Sequence, residues 1–113
     1  MSDYKKGDLV TFNVIGRHYS EDGLGINVNM RTHSHKVLTL CENINLENFP
    51  SFNDFTGKHI EVTHGDMAII LKKVGRPEKI SEGKKWNAYD VYQVMTTSLQ
   101  ICQVFRYHID KIN

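Results

Sequence analysis

Alternation of apolar and polar residues, interrupted by glycine, is the feature that most constrains the fold of this chain. In "GDLVTFNVI", Val10, Phe12 and Val14 fall on one side of an extended strand, and Thr11 and Asn13 fall on the other. No segment of helix length places its apolar residues at a helical spacing. The pattern therefore predicts an all-β fold of short antiparallel strands.

The same alternation indicates further strands along the chain. They are, in order, "INVNMRT", "KVLTLCENI", "KHIEV", "MAIILKKV", "WNAYDVYQVM" and "LQICQVFRY". Gly65 supplies the positive backbone dihedral of a tight turn before Met67. The segment "NLENFPSFNDFTG" is predicted as a loop or short helix held to the core by Phe49, Phe52 and Phe55. "HIDKI" suits one helical turn and a short closing strand.

The apolar strand faces predict the residues of the core. These are Val10, Phe12, Ile60, Val62, Ile69, Leu71, Val91, Ile101 and Phe105. Cys41 and Cys102 lie in apolar runs, which favours reduced, packed thiols over a disulfide. The runs "KVLTLC" and "QICQVF" are apolar on both faces although a small domain has one core to fill. The surplus apolar surface predicts a symmetric homo-oligomer.

Length and charge narrow the class of protein. At 113 residues the chain has room for one core, so residues 1–113 are expected to form a single domain. No run approaches the roughly 18 apolar residues of a membrane span, and "MSDYKKGDLV" lacks the apolar centre of a signal peptide. The expectation is a soluble cytoplasmic protein with no membrane partner. A net charge of +1 supplies no global field for nucleic acid, so any electrostatic attraction must be local.

From Gly57 to Ile112 the chain resembles the SH3-like small barrels often met in bacteriophage proteins. In this resemblance "HGDMAIILKKVGRP" is the second strand with its loop and "WNAYDVYQV" the third, while "GKHIEVTHGD" is similar to the start of an Sm-like barrel. The resemblance implies a closed barrel over residues 57–112 with N-terminal strands over 1–48. It also implies RNA binding, ring assembly and a viral protein in a host cytoplasm. The arginine-glycine pair of the second Sm motif is absent, so no family residue carries over.

Chemical motifs are sparse in this sequence. His33 and His35 in "HSH" would share one face of a strand, but no acidic or cysteine residue accompanies them at ligand spacing, which favours solvated turn residues over a metal site. The chain contains no nucleophile elbow and no glycine-rich phosphate loop. The sequence therefore predicts a non-enzymatic protein without a cofactor or a small-molecule substrate.

The segment from Lys72 to Lys85, the basic loop, concentrates positive charge. Six basic residues oppose Glu78 and Glu82, a local balance of +4: Lys72, Lys73, Arg76, Lys79, Lys84 and Lys85. Phosphate groups bind such a cluster favourably because counterions are released, and Trp86 with Tyr89 or Tyr92 would offer stacking faces for bases. These residues predict binding of RNA or single-stranded DNA. The alternatives are a solvated loop with Trp86 in the core, and a protein-assembly or virion accessory role without nucleic acid.

Overall fold

The computed structural model describes residues 3–13, 37–47, 55–78 and 89–112. Within these ranges seven strands form one antiparallel sheet, which confirms the predicted all-β class. The strands are β1 (Leu9–Phe12), β2 (Val37–Ile44), β3 (Phe55–Thr63), β4 (Met67–Gly75), β5 (Val91–Thr96), β6 (Ile101–Phe105) and β7 (Ile109–Lys111). A 3₁₀ turn, Arg106–His108, joins β6 to β7; a helical turn before the last strand was predicted, but it begins two residues earlier than "HIDKI", in the predicted strand "LQICQVFRY".

The strands lie in the order β3-β2-β6-β5-β4-β1-β7. Strands β4, β5 and β6 are a meander, and the β2–β3 hairpin extends the sheet beyond β6. Strand β1, which belongs to the segment predicted as an N-terminal extension, lies between β4 and β7. Among the described strands, pairing leaves β3 and β7 as edges, so the sheet is open and a closed barrel stays a prediction.

The join between β2 and β6 is short and depends on a side chain. Cys41 is the β2 residue in register with β6, opposite Gln103. Gln103 then turns its side chain back, and its Oε1 accepts a hydrogen bond from the N–H of Ile44 at 2.7 Å. Both groups are buried. The side-chain oxygen of Gln103 therefore satisfies the backbone N–H of Ile44, beyond the single register pair of β2 and β6.

Most of the predicted core is confirmed, but one strand faces the other way. Of the nine residues predicted, six are buried: Val10, Phe12, Ile60, Val62, Val91 and Phe105. In β4 the buried residues are Ala68 and Ile70, whereas Ile69 and Leu71 are only partly buried. Ile101 is 47% exposed, so its predicted burial is wrong as well. Because "MAIIL" is apolar at five consecutive positions, alternation could not reveal which residues of β4 point inward.

The sheet buries apolar residues on both faces. The main core lies on one face and consists of thirteen buried residues: Val10, Phe12, Leu38, Leu40, Ile60, Val62, Ala68, Ile70, Tyr92, Val94, Cys102, Val104 and Ile109. A second buried group lies outside that cluster and consists of Cys41, Ile44, Tyr89, Val91 and Phe105. Val91 and Phe105 are register partners, and the Phe105 ring meets Tyr89 edge-on at 5.7 Å. Both faces of β6 are therefore covered within the chain near Phe105.

Several other predictions have definite outcomes. Both cysteines are free and buried, as predicted. Gly65 has a φ of +91° in the turn before β4, where the Asp66 carboxylate accepts a hydrogen bond from the N–H of Thr63 at 2.8 Å.

Strand β3 begins at Phe55, inside the predicted loop, and β5 begins at Val91, later than predicted. The predicted strand "INVNMRT", His33, His35, Phe49 and Phe52 lie outside the described residues. No helix among the residues described is long and apolar enough to cross a bilayer.

Candidate functional site

Three of the seven predicted nucleic-acid-binding residues are described by the structure. Lys72 and Lys73 are exposed and Arg76 is partly buried, all at the end of β4 or just beyond it. The other four lie outside the described residues: Lys79, Lys84, Lys85 and Trp86. A bulge at Leu71 precedes both lysines, since Ile70 pairs with Val94 but Lys72 pairs with Gln93. Lys72 and Lys73 then pair with the consecutive residues Gln93 and Tyr92, so the two lysines lie on opposite faces of the sheet by ordinary strand alternation.

Lys73 and Arg76 are engaged in ion pairs with acidic residues. Arg76 donates from Nε to Oδ1 of Asp90 at 2.6 Å. Lys73 Nζ lies 3.0 Å from Oδ2 of Asp3 and 3.4 Å from Oδ2 of Asp90. Oδ2 of Asp90 accepts no hydrogen bond of regular geometry, so its contact with Lys73 is electrostatic. Counting charges from 72 to 85 missed both partners, because Asp90 follows the loop and Asp3 is 70 residues away.

These contacts hold the two basic side chains in their charged forms. The hydrogen bond to Asp90 raises the pKa of Arg76. Desolvation works against the charge of Lys73, but its contacts with Asp3 and Asp90 outweigh burial and raise its pKa. The hydrogen bond from Lys73 correspondingly lowers the pKa of Asp3. Ligands for Lys73 or Arg76 would have to compete with carboxylates already in place.

The tyrosines predicted as stacking faces are core residues. Tyr89 and Tyr92 are both fully buried, so the prediction that either ring is open to a base is wrong. Tyr4 packs against Tyr92 at 5.4 Å between ring centroids, and its N–H donates to the Tyr92 hydroxyl at 3.2 Å. The guanidinium of Arg106 lies 4.4 Å from the centre of the Tyr4 ring. Alternation failed here because β5 is buried on both faces at this end of the sheet.

Cavities and metal-binding clusters offer no alternative site in the part of the chain that the structure describes. A void of about 20 Å³ lies between β2 and β6, lined by residues that include Leu38, Leu40 and Val104. It has room for about one water molecule. No group of three or more His, Cys, Asp and Glu side chains converges among the described residues.

The most distinctive surface is a line of five apolar residues that crosses five strands, here called the apolar row: Ile112, Leu9, Ile69, Met95 and Ile101. Leu9 is in register with Ile69, Ile69 with Met95, and Met95 with Ile101. Ile112 extends the line past β7, because its N–H donates to the carbonyl of Leu9 at 2.9 Å. Residues opposite one another in neighbouring strands point to the same side. Four strand spacings make the row roughly 19 Å long.

The apolar row lies on the face opposite the main core, and its members differ in exposure: Leu9 and Ile101 are exposed, whereas Ile69, Met95 and Ile112 are partly buried. Leu9 is 46% exposed and Ile101 is 47% exposed, and Met67, two residues before Ile69 on the same face, is 42% exposed. Met67 pairs with Thr11, so this flank of the row is uncharged over β1 and β4. The nearest charged residue on this flank is Asp110, which pairs with Thr11. On the other flank it is Lys72, which pairs with Gln93.

The sequence did not reveal the apolar row, because its members come from separate segments that are far apart in the chain. Each strand contributes one residue, and only the register brings the five together. An exposed leucine or isoleucine by itself is common on protein surfaces. Comparison with protein-family models, curated proteins and solved structures finds no match to this chain.

Proposed function

We propose that this protein is a non-enzymatic β-sheet module that acts in protein–protein assembly, with the apolar row as its docking surface. The observation that carries the proposal is the uncharged row across the sheet, in which Leu9 and Ile101 are about half exposed and the other three members are partly buried. In an antiparallel sheet with one solvated face, alternation normally places polar side chains on that face. A contiguous apolar patch there is typical of an interaction site, since interface centres are depleted of charged residues.

The size of the row sets the strength of the contact. Full burial of a large apolar side chain contributes roughly 1.5 to 3 kcal/mol, so Leu9, Ile101 and the neighbouring Met67, each about half exposed, would together supply roughly 2 to 4 kcal/mol. Association costs at least about 4 kcal/mol in lost rotational and translational freedom. The row alone therefore supports weak, reversible binding, and its flanks have to contribute to any tight complex.

The strand order supports an SH3-like arrangement of the module. Strands β7, β1, β4, β5 and β6 are consecutive in the sheet, and a 3₁₀ turn precedes the last strand of the chain. This is the plan expected of a small SH3-like barrel, to which the β2–β3 hairpin is an addition. Closure of the barrel, a cytoplasmic location and a viral origin belong to the same proposal.

A photo-crosslinking amino acid placed in the row tests the proposed function in cells that produce the protein. At Met67, which is exposed beside Ile69, irradiation should yield a covalent product of higher mass. The control position is His59, an exposed residue of β3 outside the turn that leads into Met67. A lack of product at position 67, or equal yields at 59 and 67, would overturn docking through the apolar row.

Nucleic-acid binding is the second candidate function, and one observation favours it. Lys72 is exposed and takes no part in the ion pairs around Asp90. In that ion-pair cluster, the basic side chains of Lys73, Arg76 and Arg106 outnumber the two carboxylates of Asp3 and Asp90. The proposed ligand is RNA or single-stranded DNA, and the residues that would bind it are Lys72, Lys79, Lys84, Lys85 and Trp86. The described ion pairs make Lys73 and Arg76 weaker candidates.

A further inference from the structure

We propose that Lys73 is a binding site for a phosphate monoester, and that the carboxylate of Asp3 closes this site from within the chain. The site lies apart from the apolar row. The phosphate at the end of a nucleic-acid strand and free phosphate are two sources of the same group, and the first of them rests on the second candidate function.

Lys73 lies between two carboxylates that differ in their freedom to leave. Its Nζ is 3.0 Å from Oδ2 of Asp3 and 3.4 Å from Oδ2 of Asp90. The Asp90 side chain is 1% exposed and also accepts the hydrogen bond of Arg76, so it stays in place. The Asp3 side chain is 54% exposed, and an exposed ion pair is weak enough for a dissolved anion to compete with it. Asp3 is therefore the exchangeable partner of Lys73.

The Asp3 side chain can turn away while the backbone beside it stays packed. Tyr4 holds this part of the chain, because its N–H donates to the Tyr92 hydroxyl at 3.2 Å and its own hydroxyl donates to the carbonyl of Ile109 at 3.4 Å. Neither contact involves the Asp3 carboxylate. A lysine ammonium has three N–H donors, so Lys73 can keep its contact with Asp90 and donate to a phosphate oxygen in place of Asp3.

The charge around Asp3 favours phosphate over a second carboxylate. The hydrogen bond from Lys73 lowers the pKa of Asp3, and the charges of Arg106 and Arg76 act in the same direction. Among the described side chains of this cluster, these three cations remain opposite Asp90 alone once Asp3 has turned away, an excess of two positive charges. A phosphate monoester carries a charge of about −1.5 to −2 at neutral pH and offers three acceptor oxygens. It matches the cluster better than the single charge of a carboxylate on an acidic protein segment.

Fluorescence anisotropy of a labelled single-stranded oligonucleotide that ends in a phosphate tests the proposal in wild type and Asp3→Asn. The control is Glu61→Gln, which removes the same charge from an exposed position of β3. Asp3→Asn should bind the strand at least roughly threefold more tightly than wild type, because the competing carboxylate is gone. The control should bind like wild type, and a strand that ends in a hydroxyl should gain less from Asp3→Asn. Calorimetric titration with inorganic phosphate measures the free source of the group.

Lys73→Gln, added to Asp3→Asn, should remove the gain in affinity. Asp90 keeps its bond to Arg76 in this double variant, and circular dichroism checks that the variant is folded. A gain that survives Lys73→Gln would overturn Lys73 as the ligand, and equal affinities of Asp3→Asn and Glu61→Gln would overturn closure by Asp3.

The remaining results separate this inference from the nucleic-acid function. An equal gain for strands that end in phosphate and in hydroxyl would overturn the monoester site and leave nucleic-acid binding standing. Binding of inorganic phosphate that Asp3→Asn strengthens, without binding of either strand, would support the site and overturn the nucleic-acid function. An absence of binding of both strands and of inorganic phosphate to Asp3→Asn would overturn both.

Discussion

Arg76 donates from Nε to Oδ1 of Asp90 at 2.6 Å, and the two residues differ sharply in burial. The Asp90 side chain is 1% exposed, whereas that of Arg76 is 27% exposed. Arg106 adds a further link, because its backbone N–H donates to the carbonyl of Asp90 at 2.7 Å. The Arg76–Asp90 contact fixes the first part of the basic loop to the residue that precedes β5. The stability of the fold therefore depends to different extents on Arg76 and on Asp90.

Removal of Arg76 should destabilise the fold more than removal of Asp90. Arg76→Ala leaves a buried carboxylate with only the 3.4 Å contact to Lys73, so the free energy of unfolding should fall by about 3 kcal/mol, the lower end for a broken buried pair. Asp90→Ala leaves partly exposed cations that water can solvate, and should cost about 1.5 to 2 kcal/mol. Urea unfolding of the two variants measures the difference. The reverse order would show that the burial of Asp90 is wrong.

The inward face of β4 predicts opposite outcomes for two adjacent residues. Ile70→Ala should lower the free energy of unfolding by about 2 to 5 kcal/mol, because Ile70 is fully buried in the main core. Leu71→Ala removes a partly buried side chain at the bulge and should cost less than about 1.5 kcal/mol. Denaturant titrations of the pair serve as mutual controls. A larger loss from Leu71→Ala would mean that the register of β4 with β5 is shifted.

The limits of the sequence can be traced to particular residues. Regular alternation identified the inward face of β1, where Val10 and Phe12 are buried, and the 3₁₀ turn before β7 was also predictable. The face of β4 was not, because apolar residues fill both of its sides. The partners of Lys73 and the members of the apolar row depend on strand register, which joins segments distant in sequence. Local patterns carry no information about such long-range neighbours.

Alkaline conditions should weaken the fold through its buried thiols. Burial raises the pKa of Cys41 to about 11 and that of Cys102 to about 12, from a usual value of 9.0. Below pH 9.0 both thiols are neutral in the folded and the unfolded chain. Above pH 9.0 the thiols of the unfolded chain ionise first. The contribution of the neutral, buried thiols to stability is therefore fully present below pH 9 and is lost as the pH rises through the pKa values of the folded protein.

Urea unfolding at about pH 8 and about pH 10.5 checks this prediction in wild type and in Cys102→Ala. The variant should be less stable at the lower pH, because a buried side chain is truncated, but its loss between the two pH values should be smaller. Burial also raises the pKa of Tyr92, and that contribution is common to both proteins. Equal losses would contradict the assigned role of the Cys102 thiol.

The basic loop makes a prediction about salt. If it binds phosphates, replacing Lys79, Lys84 and Lys85 with alanine should weaken binding of single-stranded oligonucleotides evenly across sequences, and should lower the salt slope by roughly two to three. The matched control replaces Lys5, Lys6 and Lys58, three exposed lysines outside the loop, with alanine. Fluorescence titrations at two salt concentrations measure both. An absence of wild-type binding at low salt would rule out the nucleic-acid function.

Trp86 separates two roles of the basic loop. A stacking residue replaced by alanine should lose about 1 to 3 kcal/mol of oligonucleotide affinity with its stability unchanged. A core residue should lose about 3 to 5 kcal/mol of folding free energy instead. Parallel binding and unfolding measurements on Trp86→Ala distinguish the two, and a loss of stability alone would remove Trp86 from the proposed binding residues.

The dependence of the melting temperature on protein concentration tests the predicted homo-oligomer, with the apolar row as its docking surface, most directly. A dimer is stabilised by mass action, so the melting temperature of wild type should rise with concentration over a roughly hundredfold range. Ile101→Lys should melt at a temperature independent of concentration, and His59→Lys, a substitution at an exposed position of β3, should behave like wild type. A wild-type melting temperature that stays constant over the whole range would contradict the account.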